Sequence, residues 1–177
     1  MEKILVVVDM QNDFIDGSLG TEEARNIVEP VCEKIIEFGG QIFVTQDTHS
    51  DNYLETLEGR HLPVEHCIAN TEGWLINSFI RNALKSKNYA FIEKEIFGSM
   101  KLVDQIAKIL DKGVKGSIEI VGLCSDICVV SNALMLRSAF PNTEITVDAS
   151  CCAGVTPEKH KAAMEVMKSC QINVIGE

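Results

Sequence analysis

Seven cysteines, four histidines and a few isolated charged residues at the ends of apolar runs carry the chemical potential of this chain. The cysteines stand at positions 32, 67, 124, 128, 151, 152 and 170, an odd count with no Cys-x-x-Cys pair. Secreted disulfide frameworks are short and evenly counted, so reduced thiols in a cytoplasm are the expectation. Cys128 is the candidate nucleophile. It ends the segment Gly122-Leu123-Cys124-Ser125-Asp126-Ile127-Cys128, in which Ser125 or Asp126 is a natural helix N-cap. Cys128 then falls in the first helical turn, where unpaired N–H groups and the helix dipole favour a thiolate. Lys94 supplies a neighbouring cation. Asp9 supplies a carboxylate that takes the thiol proton and returns it to a leaving group. His160, inside the charged run Glu158-Lys159-His160-Lys161, reads as a surface residue. Cys124 precedes the helix and ranks below Cys128. Cys32, Cys152 and Cys170 read as buried helix cysteines.

A second constellation is Asp47-x-His49, followed by Glu58, His61, Glu65 and His66. Side chains alternate along an extended segment, so Asp47 and His49 share a side. A second histidine from the following loop makes three ligands with open positions, the donor set of a catalytic Zn²⁺ site or of another first-row divalent metal. The spacing alone fits equally a polar loop with three scattered histidines.

These residues need elements to position them. Strand-like and helix-like segments alternate along the chain, the pattern of a parallel α/β sheet. Strands are predicted at Lys3–Val8, Gln41–Thr45, Tyr89–Glu93, Ser117–Gly122, Glu144–Val147 and Ile172–Ile175. A helix carrying Ile27, Val31 and Ile35 starts near Asn26, which keeps Pro30 in the first turn; Gly39-Gly40 stops it. Further helical stripes are Leu102/Ile106/Ile109/Leu110, Ile127/Val130/Leu134 and Ala163/Val166/Met167/Cys170. The connection from Thr48 to Asn88 holds one helical candidate, Glu72–Ile80, and a connection that long is usually functional. Ligands of open parallel sheets bind at the carboxyl ends of the strands. Asp9, Asp47 with His49, Lys94 and the Cys124–Cys128 loop each follow one of four successive strands. Taken singly, Asp9 is a turn residue and Lys94 a solvated amine; their common edge gives them a joint meaning.

The 177 residues are 46% hydrophobic and 24% charged, with a net charge of −10. They are expected to form one domain, 1–177, with an insert at about 46–88. The negative field is the wrong sign for nucleic acid or an anionic membrane. No apolar run reaches the roughly 18–20 residues a bilayer requires, and MEKILVVVDMQNDF reads as a first strand rather than a signal peptide.

Four segments in register resemble a known family. VVVDMQNDF, FIEKEIFGS and GLCSDICVVSNA are similar to the catalytic segments of the isochorismatase-like cysteine hydrolases. TQDTHSDNY…EGRHLPVEHCIANTEGW is similar to the metal-binding region of the nicotinamidase branch. The resemblance implies a Rossmann-like three-layer αβα sandwich with a six-stranded parallel sheet. It implies a catalytic triad of Asp9, Lys94 and Cys128, an oxyanion hole from the backbone N–H groups of Cys124 and Cys128, and a cis peptide at Leu123–Cys124. It places a metal on Asp47, His49 and His66, with Glu58 where some members add a carboxylate and His61 or Glu65 as substitutes. Zn²⁺ is the expected metal, with Mn²⁺ or Fe²⁺ as alternatives. Phe14 matches an aromatic of the substrate pocket; Ser50-Asp51-Asn52-Tyr53 stands where the family often has Trp, making Tyr53 the second pocket candidate. The implied activity is hydrolysis of nicotinamide to nicotinate and ammonia through a thioester, by a cytoplasmic homo-oligomer of pyridine-nucleotide salvage. The alternatives are an amidase for carbamoyl or ureido substrates, an isochorismatase, a silent binding or scaffold subunit, and a thiol redox sensor built on Cys124/Cys128 or Cys151/Cys152.

Overall fold

The apolar run at the amino terminus becomes a central strand because both of its faces are covered. In the computed structural model, which describes residues 2–110 and 115–177, Ile4, Val6 and Val8 face one core and Leu5 and Val7 the other. All five are essentially without solvent contact, the signature of a parallel strand between two helical layers.

Six parallel strands form one sheet: β1 (Glu2–Val8), β2 (Gln41–Asp47), β3 (Tyr89–Lys94), β4 (Gly116–Leu123), β5 (Glu144–Ala153) and β6 (Asn173–Ile175). Their order is β3-β2-β1-β4-β5-β6. On one face lie α1 (Asn12–Ile15), α2 (Glu22–Asn26), α3 (Val28–Glu37) and, later in the chain, α5 (Ser78–Leu84), with Val31, Ile35, Ile80 and Leu84 packed into that core; between α3 and α5, the short α4 (Leu57–His61) packs with the 3₁₀ turn Tyr53–Glu55. On the other lie α6 (Met100–Leu110), α7 (Val130–Ala139) and α8 (Pro157–Ser169), contributing Leu102, Ile106, Ala133, Leu136, Met164 and Met167. The expected six-stranded sheet with flanking helices is therefore present. The order reverses at β1, which pairs with β2 on one side and β4 on the other; a crevice opens there at the carboxyl ends. The Leu123–Cys124 peptide at that edge is cis.

Several local expectations are corrected. The helix foreseen at Glu72–Ile80 is α5, displaced towards the C-terminus: Asn77 caps it by accepting the N–H of Phe79 at 3.0 Å, a stronger start signal than the earlier apolar residues. β5 runs on to Ala153, so Cys152 lies on a strand and not on a helix. Cys32 is half-buried and Cys170 exposed at the end of α8. Val166 is also exposed, because Met164 takes the core position beside Ala163 and Met167. On α7, Asn132, Ala133 and Leu136 are buried, and Val130 and Leu134, with Ile127 of the preceding turn, pack partly covered against that core. Among the described residues no helix is long and apolar enough to cross a membrane.

Candidate active site

The ends of the strands deliver a buried cluster. Asp9, just past β1, takes a left-handed backbone with φ +48°. Its N–H donates to the carbonyl and hydroxyl of Thr45, and the Thr45 hydroxyl donates to Asp9 Oδ1 at 2.6 Å. Lys94, the last residue of β3, places Nζ 2.7 Å from Asp9 Oδ2, 3.1 Å from Asp47 Oδ1 and 3.6 Å from Cys128 Sγ. All four residues are buried. Asp9 Oδ2 is paired with the ammonium and has no other polar partner among the described residues.

One ammonium thus serves two carboxylates and a sulfur, and the electrostatics follow from that sharing. Burial works against the Lys94 charge, but Asp9, Cys128 and Asp47 together hold its pKa well above the usual lysine range. Burial raises the Asp9 pKa, with Lys94 drawing it back. Asp47 ends lower than usual, because His49 and Lys94 outweigh its burial. Burial and then the charge of Asp9 push the Cys128 thiol well up against the pull of Lys94. Burial and Asp9 thus oppose the contributions of the helical turn and of Lys94 that favour a thiolate, and Lys94 is the group that bridges the sulfur and the Asp9 carboxylate.

Cys128 sits on a π-helical turn, Ser125–Val129, that leads from β4 into α7. The N-cap is Cys124, whose carbonyl accepts the N–H groups of Ile127 and Val129. Neither Ser125 nor Asp126 caps the turn, contrary to expectation. The Ser125 hydroxyl is hydrogen-bonded to His160 Nδ1 at 3.0 Å, and Asp126 Oδ1 accepts the N–H of Val155 at 2.9 Å. His160 is half-buried rather than a free surface residue. From α7, Asn132 ties the turn to the loop after β3: its Nδ2 donates to the carbonyls of Cys128 and Phe97, and its Oδ1 accepts the N–H of Ser99.

The second constellation also converges. Ligand atoms of Asp47, His49 and His66 all lie within 4.8 Å of one another, and the three residues are buried. His66 Nδ1 donates to the Val64 carbonyl at 2.9 Å, since a carbonyl oxygen can only accept. That leaves the Nε2 lone pair free, 3.7 Å from Asp47 Oδ2 and 3.9 Å from Glu58 Oε1. His49 Nε2 is 3.0 Å from Asp47 Oδ2 and 4.0 Å from Glu58 Oε1. Burial would lower the His49 pKa, but the carboxylates of Asp47 and Glu58 raise it; burial also raises that of Glu58, with Asp47 adding to it. Two imidazoles and one carboxylate, with a second carboxylate at hand, are a donor set that fits a divalent cation. His61 and Glu65 are exposed, so Glu58 is the residue placed as the extra carboxylate.

A cavity of about 250 Å³ joins the two constellations. It touches Asp47, Glu58 and His66 on one hand and Cys124 and Cys128 on the other, with Phe14 and Phe97 among its apolar walls. The Phe14 ring is 5.5 Å from that of His66. Tyr53 does not line this cavity. It is fully buried behind the cluster, its ring 4.8 Å from His49 and 4.9 Å from His66, and its hydroxyl donates to the Leu62 carbonyl at 3.0 Å. Two positioning residues were missed. Gln11, fully buried, donates from Nε2 to the carbonyls of Asp47 and Trp74, both at 2.8 Å, and accepts the N–H of Asp47 at 2.7 Å. Asp13 accepts the N–H of Cys67, next to His66, at 2.7 Å. The signal for both was on the page: two short polar side chains directly after a strand that delivers Asp9.

Residues 3–176 match the isochorismatase domain family. The chain is similar over 99% of its length to a nicotinamidase of Saccharomyces cerevisiae, 24% identical over 216 residues and spanning all of that protein. Over 98% of its length it is similar to a nicotinamidase of Schizosaccharomyces pombe, 26% identical and spanning 92% of that protein. Among solved structures it resembles a nicotinamidase/pyrazinamidase of Bacillus subtilis, with TM-score 0.84, 26% identity and coverage of 98% and 99% of the two chains. It also resembles a pyrazinamidase of Pyrococcus horikoshii in complex with zinc, with TM-score 0.82, 29% identity and full coverage of both chains.

Proposed function

This chain belongs to the isochorismatase family, and from that premise we propose that it is a nicotinamidase, releasing ammonia from nicotinamide to give nicotinate. The observation that carries the reading is the single cavity reaching both Cys128 and the Asp47–Glu58–His66 side. Nicotinamide is a small flat molecule with a carboxamide at one position of its ring and a lone-pair nitrogen at another, and so offers one group to each end.

Asp9 takes the proton from Cys128 as the sulfur attacks the carboxamide carbon. The oxyanion is received by the backbone N–H groups of Cys124 and Cys128, an effect of about 3–4 kcal/mol per donor. Asp9 then hands its proton to the departing ammonia, leaving a thioester. A water molecule deprotonated by Asp9 opens the thioester, giving nicotinate and the free thiol. Lys94 holds the carboxylate and the sulfur in register, and its charge keeps Asp9 available as a base. Asp47, His49, His66 and Glu58 would hold the divalent metal, Zn²⁺ first and Mn²⁺ or Fe²⁺ as alternatives; when bound it supplies a Lewis-acid anchor for the ring nitrogen. A cytoplasmic homo-oligomer working in pyridine-nucleotide salvage is the setting we assign. Isochorismate and ureido substrates bring no ring nitrogen to the histidine side, and an open cavity runs against a silent scaffold.

The test is ammonia release from nicotinamide by the metal-supplied protein. Wild type turns over, and Cys128→Ala loses about 10⁴-fold or more in kcat while keeping its melting temperature within a few degrees. Turnover retained in that variant defeats the assignment.

A further inference from the structure

We infer that His160, acting through Ser125, is a positioning residue that holds the nucleophile turn in its working shape. Ser125 is a fully buried hydroxyl that the mechanism leaves unused, and its only side-chain partner among the described residues is His160 Nδ1 at 3.0 Å. The bond joins the π turn to the first turns of α8, which is itself anchored by Thr156: the Thr156 hydroxyl accepts the N–H of Lys159, and its carbonyl accepts the N–H of His160. A second stitch runs parallel to it, from the N–H of Val155 to Asp126 Oδ1. The two segments touch so closely that a Cβ on Gly154 would stand 2.8 Å from Asp126 Oδ1, 2.9 Å from His160 N and 2.9 Å from Ser125 Oγ. Gly154 and Val155 also line the cavity beside Cys124 and Cys128, so the stitched junction is one wall of the site.

The consequence is specific. Ser125 is the first of the three residues between the two backbone donors assigned to the oxyanion, directly after Cys124 and three before Cys128. Loosening it shifts those donors without touching the metal ligands or the aromatic walls. The loss should therefore fall on the chemical step and leave substrate binding alone, because a small misplacement of preorganised groups costs rate rather than ground-state affinity. The kinetic part rests on the nicotinamidase reading; the structural part does not.

The experiment compares wild type with His160→Ala, His160→Asn, Ser125→Ala and the double variant S125A/H160A, all as the full chain. On nicotinamide, each alanine variant loses about tenfold in kcat with KM and Zn²⁺ affinity within about twofold. The double variant falls no further than the worse single, as expected of two groups acting as one unit. His160→Asn, which keeps a hydrogen-bonding atom near the Nδ1 position, recovers most of the rate. Without substrate, amide exchange at residues 125–129 is about tenfold faster in His160→Ala, wild-type-like in His160→Asn, and unchanged in β1. Unchanged exchange at the turn, uniform acceleration along the chain, or additive losses in the double variant overturns the clamp. Failure of wild type to hydrolyse nicotinamide sinks the proposed function only, and the exchange comparison then decides the clamp by itself.

Discussion

At the residue scale the decisive quantity is how one ammonium is divided. Lys94 faces Asp9 at 2.7 Å and Asp47 at 3.1 Å before it reaches the Cys128 sulfur at 3.6 Å. The two carboxylates therefore take the closer share of that charge, and in the proposed mechanism Asp9 removes the thiol proton as the sulfur attacks. Asp9 works as a base only when ionised, and burial has raised its pKa. Activity must accordingly fall as pH drops through that raised value. The acid limb of kcat/KM, measured with metal saturating throughout, should lie above the ordinary carboxylate range of about 4; a limb at or below that range contradicts the assignment of Asp9. Residue types at strand ends pointed to Asp9, Lys94 and Cys128 from the sequence, and the structure brings those side chains together around one ammonium. The sharing of that ammonium was not legible, because Asp9, Asp47 and Cys128 reach it from the ends of different strands. Tyr53 was misplaced for a related reason: a one-dimensional neighbour of His49 lies behind the imidazoles and not in front of them.

At the element scale, the site exists because β1, β2, β3 and β4 end at one edge and because side chains from the first connection lock the second. Gln11 is the clearest lock. Its amide satisfies both the N–H and the carbonyl of Asp47, so the carboxylate that faces both Lys94 and the histidines has little freedom. Gln11→Leu leaves those two buried backbone groups unpaired. Its Zn²⁺ affinity, measured by competition with a chromophoric chelator, should fall about 10–100-fold, and unchanged affinity would refute the lock. β1 was legible as a continuous apolar run, and α6 as a helical stripe. The 46–88 region was not, because its order comes from polar side-chain to backbone bonds rather than from hydrophobic period. Trp74 shows this: its indole N–H donates to Thr48 and its carbonyl accepts from Gln11 and Gln46, so the segment is pinned without a helix. The π turn at Ser125–Val129 was likewise invisible, since its capping signals, Ser125 and Asp126, are engaged with α8 and the preceding loop.

At the scale of the whole molecule, the helical layer that contains α3 is tied to the sheet by more than apolar packing. Lys34 on α3 reaches Glu119 on β4 at 2.6 Å and Asp148 on β5 at 2.7 Å, and those contacts with the Ser150 hydroxyl hold Asp148 below its usual pKa despite burial. A depressed carboxylate stabilises the fold above the unfolded value and loses that contribution as pH falls through the folded one. Asp148→Asn should therefore cost about 2 kcal/mol near neutrality, with the gap to wild type closing below about pH 4. Denaturant titrations at several pH values check this, and a gap constant with pH contradicts it. The sandwich itself was readable from the alternation of strand-like and helix-like segments; the cross-layer ion triad was not, because its members are separated by 85 and 114 positions in a chain where charged residues are mostly solvated. What the architecture achieves is to bring a thiol and an imidazole cluster to opposite ends of one small cavity. The most direct measurement of that claim is peptide mapping by mass spectrometry of protein acid-quenched during turnover with nicotinamide. A nicotinoyl thioester on Cys128, absent from Cys128→Ala, is the predicted result. Ammonia release without an acyl adduct on Cys128, or with the adduct on another residue, would contradict it.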